Sequence, residues 1–253
     1  MLRLENLRKS FGGVAATNDV TLDFPAGSLT AVIGPNGAGK TTLFNLITGR
    51  FRPDGGRILL EGTDLAGRSP GAIVRAGIGR AFQVASLFPT LTVRAAIAAA
   101  VQAHEGRAMR LRGRFPEAAG HARTDRVIDM LRLGRAADVI SANLSHGDQK
   151  LLDIGLALAL EPKVLLLDEP TAGMGPEERW QMMETVQLLW REGGLTLVFI
   201  EHDMDIVFKV AQTIRVLSYG AVLAEGDAAA IRANPAVIEA YLGKSAERHG
   251  AAA

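Results

Sequence analysis

One short glycine-rich run constrains the fold of this 253-residue chain more than any other segment. The run consists of Gly34, Pro35, Asn36, Gly37, Ala38, Gly39, Lys40, Thr41 and Thr42. It fits the phosphate-loop pattern G-x-x-x-x-G-K-[ST] at every position. A β-favouring run at 29–33 precedes it, and apolar residues at helical spacing follow it at 43–47. A strand, a glycine turn and a helix in this order predict an α/β fold with a phosphate site at the helix N-terminus.

The spacing of glycine, lysine and threonine in this run has a chemical explanation. Glycines allow the backbone to curl so that successive N–H groups point inward at phosphate oxygens. We expect Lys40 to contact the β- and γ-phosphates of a nucleotide, and the Thr41 hydroxyl to bind Mg²⁺. The alternative is a glycine turn with an incidental lysine, but the flanking strand and helix favour the phosphate loop.

The composition is that of a globular protein without a strong charge bias. Hydrophobic residues make up 48% and charged residues 22% of the chain, and 28 basic against 27 acidic residues give a net charge of +1. These values exclude general disorder and a polycation that binds nucleic acid. The lack of cysteine excludes a disulfide scaffold, a cysteine-ligated metal site and a thiol nucleophile.

The sequence contains no apolar run of the length that a membrane-spanning helix needs, which is about 20 residues. The N-terminal segment mixes charged residues with single leucines and has no apolar stretch typical of a signal peptide. We therefore expect a chain that meets membranes only through partner proteins.

The remaining pattern predicts alternating strands and helices. Val20, Leu22 and Phe24 alternate with polar residues, which is typical of a half-buried strand. Residues 92–160 are rich in Ala, Leu and Arg and predict helices, and a long helix is predicted over 176–193 between a proline and two glycines. Trp180 and Trp190 lie on the apolar face of that helix, and we expect them in the core. Three further runs predict strands, the last two buried on both faces: 57–60, 164–167 and 195–200.

Two carboxylates, Asp168 and Glu169, end the apolar run at 164–167. A buried parallel strand delivers such residues to the carboxyl edge of a sheet, where open α/β folds bind ligands. We expect Asp168 to hold Mg²⁺, directly or through water, and Glu169 to orient and polarise the attacking water. Acidic residues also cap buried strands without a catalytic role, but the phosphate loop upstream favours the catalytic interpretation.

A third segment lies between the first two and consists of Leu144, Ser145, His146, Gly147, Asp148 and Gln149. It resembles the LSGGQ signature of ATP-binding cassette (ABC) ATPases. The order phosphate loop, signature and carboxylate strand is also the order of that family, and the resemblance covers essentially the whole chain. It implies that Ser145 and Gly147 contact ATP bound to the phosphate loop of a partner subunit.

The resemblance assigns roles to three more residues. Gln83 lies where the family has its Q-loop, which contacts Mg²⁺ or the water and senses a neighbouring subunit. His202 lies at the position of the switch histidine that holds the γ-phosphate, and Phe11 lies where an aromatic ring stacks on adenine. Each would be an ordinary loop or surface residue by itself, and their joint placement favours function. The implied catalytic residues are Lys40, Gln83, Glu169 and His202.

The resemblance also implies the domain organisation. We expect a single ABC ATPase domain over 1–253, with a RecA-like P-loop NTPase core at 1–85 and 160–230. The core would carry an N-terminal antiparallel β subdomain. An α-helical signature subdomain would be inserted at 86–159, and 231–253 would form a C-terminal tail.

Less specific segments narrow the resemblance to the ATPase subunits of bacterial branched-chain amino acid importers. These segments are 11–13, 34–44, the signature with His146, 201–204 and 234–243. In that family the subunit is peripheral on the cytoplasmic face of the inner membrane and pairs with a second ABC ATPase, as a homodimer or heterodimer. Two transmembrane permease subunits complete the transporter, and a periplasmic solute-binding protein acts indirectly. ATP and Mg²⁺ are the implied cofactors, and nucleic acid is not an expected partner.

Three positions depart from the family pattern. His146 replaces the first signature glycine, Asp148 replaces the usual glutamine, and Gly175 stands where many relatives carry an interface aspartate. The departures leave the chain's own phosphate site complete. They put in doubt how well the chain completes the site of its partner.

Two other functions stay open at this point. One is a non-transport ABC ATPase that acts on ribosomes or DNA, although such proteins usually carry two cassettes or a long coiled-coil insertion. The other is a subunit of a lipid exporter. An arginine-rich segment at 107–126 is interpreted either as a solvated arm or as a contact with lipid phosphates or an acidic permease loop.

Overall fold

A computed structural model describes residues 1–81, 88–105 and 118–241. The predicted Q-loop residue Gln83 and the arginines at 107–114 lie outside these ranges. The chain forms two compact units. The first unit consists of Met1–Ile73 and Thr196–Ala253, and the second of Val74–Leu195. The functional division at 85 and 160 stays a prediction.

Strands and helices alternate along the chain, so the predicted α/β class is confirmed. The strands are β1 (Leu2–Phe11), β2 (Val14–Phe24), β3 (Leu29–Ile33), β4 (Gly55–Leu60), β5 (Thr63–Asp64), β6 (Ile78–Ala81), β7 (Val164–Asp168), β8 (Thr196–Ile200), β9 (Thr213–Ser218) and β10 (Ala221–Gly226). The helices are α1 (Lys40–Ile47), α2 (Pro70–Ala76), α3 (Val93–His104), α4 (Ala118–Met130), α5 (His146–Leu158), α6 (Pro176–Gly193), α7 (Met204–Val210) and α8 (Ala228–Ala233).

The first unit begins with an antiparallel sheet in the strand order β2-β1-β4-β5. The sequence analysis missed β1, although Leu2 and Leu4 alternate with polar residues as a half-buried strand requires. The alternation breaks because Asn6 adopts a left-handed φ of 48° and the pairing with β2 shifts register there. The next buried residue is therefore Leu7 rather than Asn6, as in a β-bulge.

The second sheet of the first unit carries the glycine-rich loop. In it β3 pairs in parallel with β8 on one side and with β9 on the other, and β10 pairs antiparallel to β9. All residues of β3 and β8 are buried. The prediction that the run at 195–200 is buried on both faces is confirmed for these strand residues.

The second unit combines the parallel pair β6 and β7 with the helices α3 to α6. The predicted long helix is α6, and Gly194 ends it with a left-handed φ of 62°. Trp180 and Trp190 are only half-buried, contrary to the expectation that they lie in the core. Met182, Met183, Val186 and Leu189 are the buried apolar residues of this helix.

Helix α5 packs closely on its helical neighbours because it contains Gly155. A Cβ atom at this position would lie 2.7 Å from Cδ1 of Leu131 and 3.4 Å from Cδ1 of Ile97. A larger residue would require the side chain of Leu131 to move. Within the described residues, no helix combines the length and the apolar character needed to cross a membrane.

Phe24 tests the core of the first unit, because its side chain is fully buried at the end of β2. We expect Phe24→Ala to lower the free energy of unfolding by about 3–5 kcal/mol, since it removes a large apolar side chain and leaves a cavity. Val14→Ala on the same strand is the control, because Val14 is 70% exposed. A chemical denaturation series measures both variants, and equal losses would contradict the assignment of Phe24 to the core.

Candidate functional site

The glycine-rich loop joins β3 to α1 in the first unit and packs against neighbouring backbone. Gly39 has a left-handed φ of 99°, and a Cβ atom there would lie 2.2 Å from the carbonyl oxygen of Ala16. At Gly34, with φ of 153°, a Cβ atom would lie 2.2 Å from the carbonyl oxygen of Leu217. Only glycine fits these two close approaches, and the loop curls at the N-terminus of α1 as a phosphate cradle requires.

Lys40 is the first residue of α1, and its side chain folds back over the loop. The side chain is buried, and Nζ donates hydrogen bonds to the carbonyl oxygens of Gly34 at 2.6 Å and Pro35 at 3.2 Å. Thr41 is exposed beside it. The loop thus places an ammonium group and a hydroxyl next to the positive end of a helix, which is an arrangement suited to a phosphate group.

Phe11 and His202 are the other predicted site residues of the first unit. The Phe11 ring is 43% exposed and packs edge-on against Phe51, with 5.2 Å between ring centroids. His202 follows β8 with an exposed side chain, and its backbone N–H donates to Oε2 of the buried Glu201 at 3.3 Å. Both rings are therefore accessible to a ligand.

In the second unit, Asp168 ends β7 in a buried ion pair. Its Oδ2 accepts a hydrogen bond from Nη2 of Arg80, on β6, at 2.6 Å, and both side chains are more than nine-tenths buried. Charge-assisted hydrogen bonds of this kind are among the stronger ones in proteins. The ion pair fixes the position of the Asp168 carboxylate through Oδ2, and Oδ1 is the oxygen that Arg80 does not contact in this hydrogen bond.

Glu169 follows directly and begins a loop held by α5. Its φ is 50°, the left-handed region that residues other than glycine rarely adopt. The buried Lys150 of α5 donates from Nζ to the carbonyl oxygens of Glu169 at 2.9 Å, Pro170 at 3.2 Å and Ala172 at 2.9 Å. One side chain therefore binds three carbonyl oxygens of the four residues that follow β7.

The signature segment forms the N-terminus of α5. Ser145 is the N-cap, and its Oγ accepts a hydrogen bond from the backbone N–H of Asp148 at 3.1 Å. Nε2 of His146 lies 3.3 Å from the carbonyl oxygen of Ala172, the same oxygen that Lys150 contacts. Gly147 is half-buried in the first turn. The capped helix end is thus polar, and the exposed Ser145 lies at its tip.

Comparison with known proteins decides the family. Residues 17–172 match the ABC transporter family, and residues 221–247 match the branched-chain amino acid ATP-binding cassette transporter family. The chain is 37% identical over 246 residues to the probable branched-chain amino acid transport ATP-binding protein LivG of Archaeoglobus fulgidus, with 96% of this chain and 95% of that protein covered. The chain belongs to the ABC transporter family. The resemblance predicted from the signature segment is confirmed.

Other relatives of this ABC ATPase are also similar over nearly their whole length. The high-affinity branched-chain amino acid transport ATP-binding protein LivG of Escherichia coli K12 is 37% identical over 253 residues, covering 97% of this chain and 98% of that protein. The ATP-binding cassette MJ1267 of an ABC transporter superposes with a TM-score of 0.84 at 31% identity, covering 95% of this chain and 98% of that one. The ABC ATPase therefore has the cassette fold, binds nucleotide and hydrolyses ATP to power transport.

The residues of the ABC ATPase that could hold Mg²⁺ carry suitable donors. The hydroxyl of Thr41 and the carboxylate of Asp168 are hard oxygen ligands of the kind that Mg²⁺ prefers. Because Arg80 occupies Oδ2 of Asp168, a metal contact would use Oδ1 or a bridging water. The donor set fits the ion, and Gln83, the third predicted ligand, lies outside the described residues.

Sequence reasoning missed four polar residues of this ABC ATPase: Arg80, Lys150, Asp153 and Tyr241. Lys150 and Asp153 had a detectable signal, because two charged residues three positions apart interrupt the buried face of an apolar helix. Burial raises the pKa of Tyr241 to about 12, while a hydrogen bond with the backbone of Gly34 acts in the opposite direction. The C-terminal helical segment at 235–241 thus reaches the phosphate loop.

Asp153 predicts a pH-dependent stability. Burial raises the pKa of its carboxyl from 3.8 to about 7, and the charge of Lys150 opposes this shift. The folded state therefore binds more protons than the unfolded state between about pH 4 and pH 7, and stability falls as the pH rises through that window. Asp153→Asn removes the titrating group, so we expect it to raise the melting temperature more at about pH 8 than at about pH 4. Each kcal/mol of unfolding free energy regained corresponds to about 2–4 °C in melting temperature.

Differential scanning calorimetry across this pH range measures the effect. Asp129→Asn is the control, because Asp129 is exposed on α4 and its replacement should leave the profile unchanged. A pH profile of Asp153→Asn parallel to that of the unmodified protein would contradict the raised pKa.

Proposed function

We propose that this ABC ATPase is the ATP-hydrolysing subunit of an importer for branched-chain amino acids or related small solutes. The observation that carries the proposal is the near full-length similarity to LivG proteins of a bacterium and an archaeon. The match of residues 221–247 to the branched-chain family supports it from a separate part of the chain. The BraF protein of Pseudomonas aeruginosa, 36% identical, carries the same description of transport.

The proposed assembly contains two transmembrane permease subunits and a second ABC ATPase, as a homodimer or heterodimer. This chain would be peripheral on the cytoplasmic face of the inner membrane, and a periplasmic solute-binding protein would act on the permeases. Nucleic acid has no place in this assembly.

The phosphate loop would bind the triphosphate of ATP. Backbone N–H groups of the loop between Gly34 and Thr42, other than at Pro35, would surround the β- and γ-phosphates. The ammonium of Lys40 would exchange its two carbonyl contacts for phosphate oxygens, which carry full negative charge and bind it more strongly. Phe11 would stack on the adenine with its accessible ring.

Hydrolysis would depend on residues at the ends of β7 and β8. Glu169 would accept a hydrogen bond from the attacking water and orient it toward the γ-phosphate. His202 would donate to the γ-phosphate and stabilise the charge that develops on it. Thr41, Asp168 and Gln83 would hold Mg²⁺, which neutralises phosphate charge when bound.

Ser145 and Gly147 would serve the ATP of the partner ATPase. They lie at the N-terminus of α5, where backbone N–H groups and the helix dipole favour a phosphate group. Two cassettes would then close on two ATP molecules, and hydrolysis would separate them and move the permeases.

Reconstitution tests the transport function directly. The chain is expressed with the permease subunits and the ATPase encoded beside it, purified through an affinity tag on this chain, and placed in proteoliposomes. We expect ATP-dependent uptake of radiolabelled leucine when the cognate binding protein is supplied. Co-purification with ribosomes or DNA instead of permeases would overturn the proposal, and so would ATP-dependent lipid export.

Lys40 tests the phosphate loop. Lys40→Ala removes the only side-chain cation in the loop, so we expect ATP hydrolysis by the assembled complex to fall at least about 100-fold and nucleotide affinity to fall with it. Lys163→Ala is the control, because Lys163 is exposed on the second unit. Turnover near that of the unmodified complex would refute the role of the loop.

Glu169 tests the catalytic base. We expect Glu169→Gln to slow hydrolysis by about 100-fold or more and to keep ATP binding, because the amide preserves the shape but cannot activate water. The ATP-bound dimer should then accumulate, as size-exclusion chromatography with ATP and Mg²⁺ measures.

Glu161→Gln is a matched control for this prediction. Glu161 is a glutamate of the same unit that also has a left-handed backbone, with φ of 48°, but its side chain is exposed in the turn before β7. Its replacement should leave turnover unchanged. Equal turnover of the two variants, or the lack of a trapped dimer with Glu169→Gln, would show that Glu169 is not the base.

A further inference from the structure

We propose that Lys150 is a positioning residue for ATP hydrolysis, which acts by fixing the backbone of Glu169. The proposal rests on the proposed role of Glu169 as the base, and it concerns a residue of α5 that carries no role in the proposed mechanism. It predicts that Lys150 affects the rate of hydrolysis without affecting the binding of ATP.

Lys150 contacts the backbone of the loop after β7. The side chain is 6% exposed, and its Nζ donates to the carbonyl oxygens of Glu169, Pro170 and Ala172. An ammonium group has three N–H donors, so three carbonyl acceptors match its full capacity. Lys150 thus connects α5 to the loop after β7 as a three-point anchor.

The anchored residue is the one that needs support. Glu169 has a φ of 50°, a conformation that persists in residues other than glycine only when the surroundings impose it. Its carbonyl oxygen accepts from Lys150 and also from the backbone N–H of Ala172, at 3.1 Å. Two donors on one oxygen fix the peptide plane after Glu169, and with it the direction in which the side chain leaves the backbone.

The cost of burying an ammonium group favours a specific role over simple packing. A buried charge is expensive unless it is paired and hydrogen-bonded, and a methionine or leucine would fill the same space without that cost. The carboxyl of Asp153 lies one turn further along α5 and interacts with the charge of Lys150. The fold keeps this pair of ionisable side chains, and the three carbonyl contacts are the feature that an apolar residue cannot supply.

Steady-state kinetics of the assembled complex tests the proposal. We expect Lys150→Met, which keeps the stem and removes the donors, to lower kcat about 10- to 100-fold, since displacement of a catalytic group by about 1 Å has effects of that size. The KM for ATP and the affinity for a fluorescent ATP analogue should stay within about twofold, because the phosphate loop is unchanged. Lys150→Arg should recover part of kcat, because it restores donors.

A double-variant cycle with Glu169→Gln separates positioning from other roles. If Lys150 acts through Glu169, Lys150→Met should cause no further loss of hydrolysis when Glu169 is already replaced. The control is Lys163→Met, which removes an exposed lysine of the same unit and should leave kcat unchanged. The double variant Lys150→Met with Asp153→Asn removes both ionisable groups of the pair. It provides a folded form if Lys150→Met alone is unstable.

The outcomes distinguish a failure of the positioning role of Lys150 from a failure of the catalytic role of Glu169. Three results would each overturn the positioning role. The first is an unchanged kcat in a folded Lys150→Met variant, and the second is an increase in KM that accounts for the whole loss of kcat/KM. The third is a loss of kcat that adds to that of Glu169→Gln. If Glu169→Gln itself hydrolyses ATP normally, the proposed function of Glu169 fails instead. If Glu169→Gln is inactive while Lys150→Met is fully active, only the present inference fails.

Discussion

The close approach between loop glycines and neighbouring carbonyls is the constraint on which the phosphate site depends. A Cβ atom at Gly34 or Gly39 would lie 2.2 Å from a backbone oxygen, and backbone cannot move aside as a flexible side chain can. The two contacts fix both ends of the loop between β3 and α1. Lys40 begins α1 at the end of that loop, so its ammonium group reaches back to the carbonyl of Gly34. The protein's own backbone therefore holds both ends of the loop.

Three buried basic side chains are each held by backbone or carboxylate groups near the proposed site. Lys40 is held by two loop carbonyls, and Lys150 is held by three carbonyls after β7. Arg80 holds one oxygen of Asp168 at the end of the same strand. Desolvation of a cation costs several kcal/mol unless partners replace the lost water. The partners here are backbone carbonyls and the carboxylate of Asp168, so the charges also orient groups of the proposed site.

The sequence was sufficient for the phosphate loop, β3, β7 and α6, because each has a local signal that tertiary packing does not override. The loop pattern needs fixed glycines, β7 is a continuous apolar run, and α6 lies between Pro176 and Gly194. Strand β1 was missed because the left-handed Asn6 shifts the alternation of buried and exposed residues. A search for strict alternation does not detect a strand with such a shift. The core position of the two tryptophans was wrong, because half-buried aromatic rings satisfy the same helical pattern.

The candidate site shows the same limit. Residue types that bind phosphate or metal follow motifs, so Lys40, Thr41, Asp168 and Glu169 could be named from the sequence. The contacts of Arg80 and Lys150 could not be predicted, because the groups that they contact lie 19 to 88 positions away in the sequence and no spacing rule connects them. Contacts of that kind are set by how strands and helices pack, and they are visible only in three dimensions.

Two residues that depart from the family signature have identifiable surroundings at the start of α5. His146 replaces a signature glycine, yet its Nε2 lies 3.3 Å from the carbonyl of Ala172, which Lys150 also contacts from one turn further along. Residues four apart lie on one face of a helix, so the side chains of His146 and Lys150 contact the same loop. Asp148 lies in the first turn, where a carboxylate is favoured by the helix dipole but repels a phosphate group from the same end. We expect His146 and Lys150 to hold the helix end to the loop after β7, and Asp148 to make it less suited to the ATP of a partner. A cassette built in this way would favour its own phosphate site over the opposite one, and the two sites of a heterodimer would then be unequal in rate.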